Sequence, residues 1–290
     1  MTAAIWSAGD GRPTTRLPAQ SVDAHLHIYD ARFPYDDAAS LRPPEATVAH
    51  YRQLQSRLGT TRCVVVQPSS YGTDNRCLVD ALQQLGAEAR GVAVIDERVT
   101  DRELRQLHES GVRGIRFNLS RPAGAPVESL QRLARRIEPL GWHVQVHALA
   151  EAYPSIAPVL AILPTTVVID HLGRIPPSGS PEKHPAWDAL RRLVDAGRTW
   201  IKVSGAYHDT KIGPPGYEDT GSVSRAWLRY APQRTVWGTD WPHVAALAGE
   251  KPMPDDAQLL DLTVAWLPET TSAVQLFVDN PRELYGFQVS

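Results

Sequence analysis

Short runs rich in β-branched residues recur eight times along this chain, each followed by a longer, helix-compatible segment: "SVDAHLHIYD", "RCVVVQPS", "RGVAVID", "RGIRFNLS", "WHVQVHA", "TVVIDHLG", "TWIKVSGAY" and "RTVWGTDWPH". Between them the pattern predicts helices at about 45–58, 75–86, 101–110, 126–139, 153–163, 185–196, 220–230 and 255–267. Gly59, Gly86, Gly111 and Gly197 follow the last apolar turns and mark helix ends. Strict alternation implies parallel strands joined by crossover helices, and eight such units close a TIM-type (β/α)8 barrel. An open doubly wound α/β sheet is the rival architecture. Its usual nucleotide-binding signature is missing, since neither GxGxxG nor GxxxxGKS/T follows the first strand. The 290 residues suit a single barrel domain from residue 21 to 290. Residues 1–20, rich in Gly, Pro, Thr and Ala, read as an arm laid over it.

A formal net charge of −2 leaves no electrostatic footprint for nucleic acid, and the arginines of "LARRIE" and "LRRLVDAGR" read as solvated helix faces. Two cysteines, Cys63 and Cys77, are too few for a disulfide framework and point to a reducing compartment. The N-terminus has neither a basic start nor a continuous apolar stretch, and no later run approaches membrane-spanning length. The expectation is a cytoplasmic protein with no nucleic-acid or membrane partner, and no sequence feature sets an oligomeric state.

The first strand, "VDAHLHIYD", carries two histidines one residue apart in a run that otherwise reads as buried. Alternation of side chains puts Asp23, His25 and His27 on one face and Val22, Ala24 and Leu26 on the other. In a barrel, the C-terminal strand ends face the active site. His147 ends the fifth strand, His171 the sixth and Asp240 the eighth, so four histidines and one carboxylate arrive at one face. Neutral imidazoles with a carboxylate suit zinc, and iron, manganese or nickel can also fit. An ion held there acidifies a coordinated water and polarises a carbonyl.

This order, HxH on strand one, His on strands five and six and Asp on strand eight, resembles the amidohydrolase superfamily. The segments "VVVQPSSYGTDN", "GVRGIRFNL", "GWHVQVH", "VIDHLGR", "IKVSGAY", "WGTDWPH" and "DNPRELYGF" narrow the resemblance to the branch of 2-pyrone-4,6-dicarboxylate lactonase, 4-sulfomuconolactone hydrolase and sugar-acid lactonases. It implies a hydrolase that opens a small acidic lactone. The rival of another class is a metal-dependent decarboxylase of an unsaturated or aromatic acid, and a third reading is a barrel that only binds a small acid. One divalent ion is expected, zinc first, because "GIRFNL" offers Arg116 and Asn118 and no lysine or glutamate to bridge two. The expected ligands are His25, His27, His147 and Asp240, with Asp240 also the general base and His171 orienting water or polarising the lactone carbonyl. Some members of the branch lack the strand-five histidine and work without a metal, so metal-independent catalysis is the alternative. This chain keeps His147.

Arg116 interrupts an apolar strand, and if it points inward its guanidinium needs an anion, either a substrate carboxylate or a nearby acid such as Glu97. Arg174 is a second anion candidate. Ser69, Tyr71 and Asn75 are placed to hydrogen-bond substrate oxygens, while Thr73 or Asp74 caps the following helix. Ser204 and Tyr207 on strand seven are expected near the site, with Lys202 either sharing their face or pointing out. Trp241 and His243 are expected on the rim, covering a flat ring.

Overall fold

The computed structural model describes residues 6–120, 127–177 and 179–288. Among these, eight strands run parallel and are hydrogen-bonded in sequence order: β1 (Val22–Leu26), β2 (Arg62–Val66), β3 (Ala89–Ala93), β4 (Val112–Asn118), β5 (His143–His147), β6 (Val167–Ile169), β7 (Thr199–Val203) and β8 (Thr235–Trp237). The last strand returns to the first. Leu26 bridges Trp241, the His27 N–H donates to the Trp241 carbonyl, and the Asp240 N–H donates to the His25 carbonyl, both at 2.8 Å. An open sheet has no such seam. Gly238 is required there, since a Cβ would lie 2.6 Å from the His25 backbone nitrogen.

Helices α1 (Val48–Leu58), α2 (Arg76–Leu85), α3 (Asp101–Glu109), α4 (Val127–Ile137), α5 (Tyr153–Ala161), α6 (Pro185–Asp195) and α7 (Glu218–Tyr230) follow β1 to β7 in turn. After β8 come α8 (Val244–Leu247), α9 (Asp256–Ala265) and α10 (Asn280–Tyr285). The segment predicted at 255–267 is α9, whereas α8 and α10 are too short to leave a periodic signal. Local chemistry sets the helix starts. Thr47 accepts from the His50 N–H at α1, and Thr100 and Glu103 form a reciprocal capping box at α3. Among the described residues, no helix is long and apolar enough to cross a membrane.

Two apolar layers fix the strand faces. Cys63, Val65, Ile115, Val144, Ile169, Ile201 and Val203 pack outward against helix residues such as Leu54, Leu78, Leu133 and Leu190. Val22, Ala24, Val64, Val66, Val92, Val168, Trp200 and Val236 point inward and are met by Tyr285 and Phe287 from the C-terminal segment. Each fully buried valine, leucine, isoleucine or phenylalanine among them contributes about 1.5–3 kcal/mol. Above this plug the interior turns polar, with Arg116, Gln145, Asp170 and Lys202 all buried.

Strict alternation fails on β1, and the failure shapes the site. Asp23 registers with Cys63, but Leu26 registers with Val65, so three steps on β1 oppose two on β2. This bulge re-aims the strand. Ala24 and His25 both face inward, His27 follows, and Asp23 points out to Thr239 and Tyr51. The expectation of one shared face for Asp23, His25 and His27 is therefore corrected by an inserted residue that no pattern of hydrophobicity reveals.

Candidate active site

A cavity of about 420 Å³ opens at the C-terminal strand ends, with His27, Arg116, His147, His171, Arg174, Tyr207, His208 and Asp240 in its wall. Ser69, Ser70 and Asn118 form one side, and Glu250 and Lys251 stand at the rim.

One half of the cavity is built around Asp240. Its backbone is left-handed, with φ of 65°, and the whole side chain is buried. Tyr207 donates to Oδ2 at 2.6 Å and His208 Nε2 donates to the same oxygen at 2.9 Å. Oδ1 is left facing three imidazole nitrogens: His25 Nε2 at 3.6 Å, His27 Nε2 at 3.7 Å and His171 Nε2 at 3.7 Å. These separations are too long for hydrogen bonds.

The ring orientations are set from behind. His27 Nδ1 donates to the Val66 carbonyl at 2.8 Å, and His171 Nδ1 shares a hydrogen bond with Ser204 Oγ at 2.9 Å. His25 Nδ1 lies 3.4 Å from Asp170 Oδ1. Lys202 Nζ comes within 3.3 Å of the same nitrogen, but it donates at a shorter 2.8 Å to the Ala24 carbonyl and to Gln145 Oε1. The N–H of His25 is thus best directed at Asp170, and its Nε2 is a buried atom with no hydrogen-bond partner among the described residues. Burial holds His27 down to about 3 and keeps His25 and His171 below the ordinary imidazole range. Burial pushes the Asp240 carboxyl up, but His171 and His208 outweigh it and leave it well below the usual carboxylate range. Neutral imidazoles converging on an ionised carboxylate, one with an orphaned nitrogen, are the donor set of a divalent ion. His25, His27 and Asp240 bring three ligand atoms within 4.8 Å of one another, as do His171, His208 and Asp240.

The other half is cationic. Arg116 Nη2 donates to His147 Nδ1 at 3.3 Å, and Arg174 Nη1 approaches His147 Nε2 at 3.1 Å. Burial first, then Arg116, hold His147 well below the imidazole range. Arg116 Nε also reaches Asp170 at 3.2 Å, and Arg174 binds Asp209 through two nitrogens at 2.7 and 2.9 Å. Glu97 is not the partner of Arg116; it pairs with Arg132 instead.

An amidohydrolase family model matches residues 22–287. The chain belongs to the amidohydrolase family. It is 36% identical over 291 residues to a 2-pyrone-4,6-dicarboxylate hydrolase of Comamonas testosteroni, covering 97% of this chain and 94% of that one. It is 33% identical to a 4-sulfomuconolactone hydrolase of Rhizobium radiobacter, covering 93% and 91%. An apo crystal structure of a protein from Agrobacterium tumefaciens superposes with a TM-score of 0.85 at 29% identity, over 96% of this chain and all of that one.

In this amidohydrolase the residues named from sequence divide between cavity and surroundings. His27, His171, Asp240, Arg116, Arg174, Ser69 and Tyr207 line the cavity; His25 and Ser204 lie directly behind it. His147 lines it too, but it falls outside the ligand groups found among the described residues, because both ring nitrogens face guanidinium donors. Tyr71 is turned into the protein, bonding the Asp30 backbone. Asn75 ties its own loop to Val94. Trp241 is packed against Tyr51 and Trp6, and His243 is buried on Asp256 at 3.0 Å. These four are not in the cavity wall, because the turns after β2 and β8 fold their side chains inward to fix the loops.

His208 and Asp170 escaped the sequence reading, and Lys202 was left between an inward and an outward face. His208 follows Tyr207 directly and was readable only as a further polar residue in a loop. Asp170 precedes His171 and joins Arg116, Gln145 and His25. Lys202 proves to point inward, spanning from β7 to β1 and β5. A lone acid or lysine in a strand carries no such label without its register.

Proposed function

We propose that this amidohydrolase opens the ring ester of small carboxylated lactones. The observation that carries the reading is one cavity whose wall holds, in one half, an ionised oxygen, Asp240 Oδ1, with three neutral imidazoles around it and, in the other half, two guanidiniums on either side of His147. The two hydrolase relatives are named for ring esters that bear acid groups, which favours this reading over the decarboxylase.

Each arginine carries five N–H donors and spends only some of them on Asp170, Asp209 and His147, so donors remain for a substrate carboxylate. A neutral imidazole accepts on one nitrogen only, and His147 therefore satisfies one guanidinium at a time and holds the two apart. With the acid group seated there, the ring carbonyl is directed toward the imidazole half. Asp240 Oδ1 takes a proton from the attacking water as its oxygen bonds the carbonyl carbon, and the C–O bond of the ring breaks. The proton then passes to the departing ring oxygen. Tyr207 and His208 keep Oδ2 out of this traffic. His25, His27, His171 and Asp240 Oδ1 would hold one divalent ion, zinc first by the nature of the donors. Such an ion, when bound, acidifies water and polarises the carbonyl. The buried free thiols of Cys63 and Cys77 suit a reducing compartment, and we place the enzyme in the cytoplasm.

The test is a panel of carboxylated and neutral lactones, scored by proton release, ring-opened product and carbon dioxide. Ring opening of the acidic lactones with no carbon dioxide is expected; carbon dioxide release would return the decarboxylase to first place.

A further inference from the structure

The turn that carries Asp240 is held by a buried histidine–aspartate pair that the proposed chemistry does not use. Asp240 and His243 are both left-handed, with φ of 65° and 64°, and the His243 N–H closes the turn on the Asp240 carbonyl at 2.9 Å. Non-glycine residues in this region are strained and persist only where their surroundings over-determine them. The surroundings here are specific. His243 is fully buried, its Nε2 donates to Asp256 Oδ1 at 3.0 Å, and its ring meets the Tyr207 ring edge-on at 5.2 Å. Asp256 is itself anchored, with its N–H on Ser7 Oγ at 3.2 Å and its Oδ2 3.6 Å from Arg57.

We infer that His243, fixed by Asp256, is a positioning residue that acts through Tyr207 to keep Asp240 Oδ2 hydrogen-bonded and Oδ1 turned toward His25, His27 and His171. The inference rests on the reading of Asp240 as the proton acceptor. Without the ring of His243, Tyr207 loses its edge-on support and keeps the stacked ring of His208 at 4.4 Å, and its 2.6 Å hydrogen bond to Oδ2 loses its alignment. Oδ2 is then held by His208 alone, and the Asp240 carboxylate gains freedom to turn.

A double-mutant cycle tests this. His243→Leu, Tyr207→Phe and the double variant are assayed on 2-pyrone-4,6-dicarboxylate, and crystal structures of the single His243 variants report the Tyr207 hydroxyl to Asp240 Oδ2 distance. His243→Leu should lower kcat by about 10- to 100-fold with KM little changed, as expected for a displaced reacting group. The double variant should be no worse than Tyr207→Phe, because the two side chains act along one path. His243→Gln, whose amide nitrogen can replace Nε2, should recover most of the turnover and keep the hydrogen bond that His243→Leu loses. If the leucine variant does not fold, His243→Asn takes its place, its amide being too short to reach Asp256 and support Tyr207 together. Additive losses in the cycle, or an undisplaced Tyr207 in the disruptive variant, would overturn the inference. A wild-type enzyme that opens no lactone would defeat the functional reading alone, since the Tyr207 displacement still decides the positioning role.

Discussion

His147 and His171 stand edge to face side by side in the cavity wall with ring centroids 4.9 Å apart, yet their surroundings are opposite. His171 Nε2 looks at Asp240 Oδ1 across 3.7 Å, alongside two more imidazoles at the same range. His147 has a guanidinium nitrogen at each ring nitrogen, at 3.3 and 3.1 Å. The first histidine belongs to a cluster whose unshared electron pairs converge on one carboxylate oxygen; the second stands between two guanidiniums, each paired with an aspartate and still carrying unused N–H donors. A cation suits one half and an anion the other. Two histidines that look alike in sequence, each ending a barrel strand, are thereby given opposite work by what the neighbouring strands supply.

The hardest blow to this division is Asp240→Asn. It removes the proposed proton acceptor and the anionic member of the proposed donor set together, so kcat on an acidic lactone should fall by about 10³-fold or more. Elemental analysis of the same variant should show less bound metal than the wild type. Retained turnover would mean that the imidazole half is not where the reaction occurs.

Arg116→Met strikes the cationic half. Lys202 and Gln145 remain to hold Asp170, so the fold should survive. Activity on a carboxylated lactone should fall by the equivalent of about 2–5 kcal/mol in kcat/KM, and a neutral lactone should lose far less. Equal losses on both substrates would reduce Arg116 to a structural partner of Asp170.

The seam under the imidazole half gives a smaller, pH-dependent effect. Burial raises the Asp23 carboxyl to about 6 against the hydrogen bonds from Thr239 that lower it. A carboxyl raised in the folded state favours folding most when both states are protonated, and that stability is lost as pH climbs from about 4 through 6. The difference of roughly two units corresponds to about 3 kcal/mol. Asp23→Asn cannot ionise, so its stability relative to wild type should improve by up to this amount between pH 4 and 7 in denaturant titrations. A pH-independent difference would show that Asp23 stays ionised in the seam.

The barrel itself was legible because eight repeats of strand and helix leave a periodic record, and Arg116 stood out as a charge in an apolar strand. The convergence of His25, His27, His171 and Asp240 followed from topology alone, since strand ends in a barrel share one mouth. The β1 bulge was not legible, because one inserted residue alters register without altering composition. Nor was the fate of Tyr71, Asn75, Trp241 and His243, whose loops could have turned them either way. His147 shows the limit most clearly. Its position at a strand end was readable, but its partners come from β4 and from the loop after β6, and pairing across strands is a property of register and of the left-handed turn at residues 171–174.

His147→Gln is accordingly the most delicate test of the two halves. If the histidine serves as a spacer between guanidiniums, glutamine can accept from one arginine through its carbonyl oxygen, and the donor set around Asp240 is untouched. Metal content should then equal that of the wild type. Turnover should drop by only a few-fold, about 1 kcal/mol, the worth of one altered hydrogen bond, and the loss should appear in KM for acidic lactones before it appears in kcat. A ligand would behave otherwise: elemental analysis would show metal lost together with kcat, and the boundary drawn between His147 and His171 would have to be moved. The measurement is decisive because the spacer and the ligand differ in which quantity changes as well as in how much.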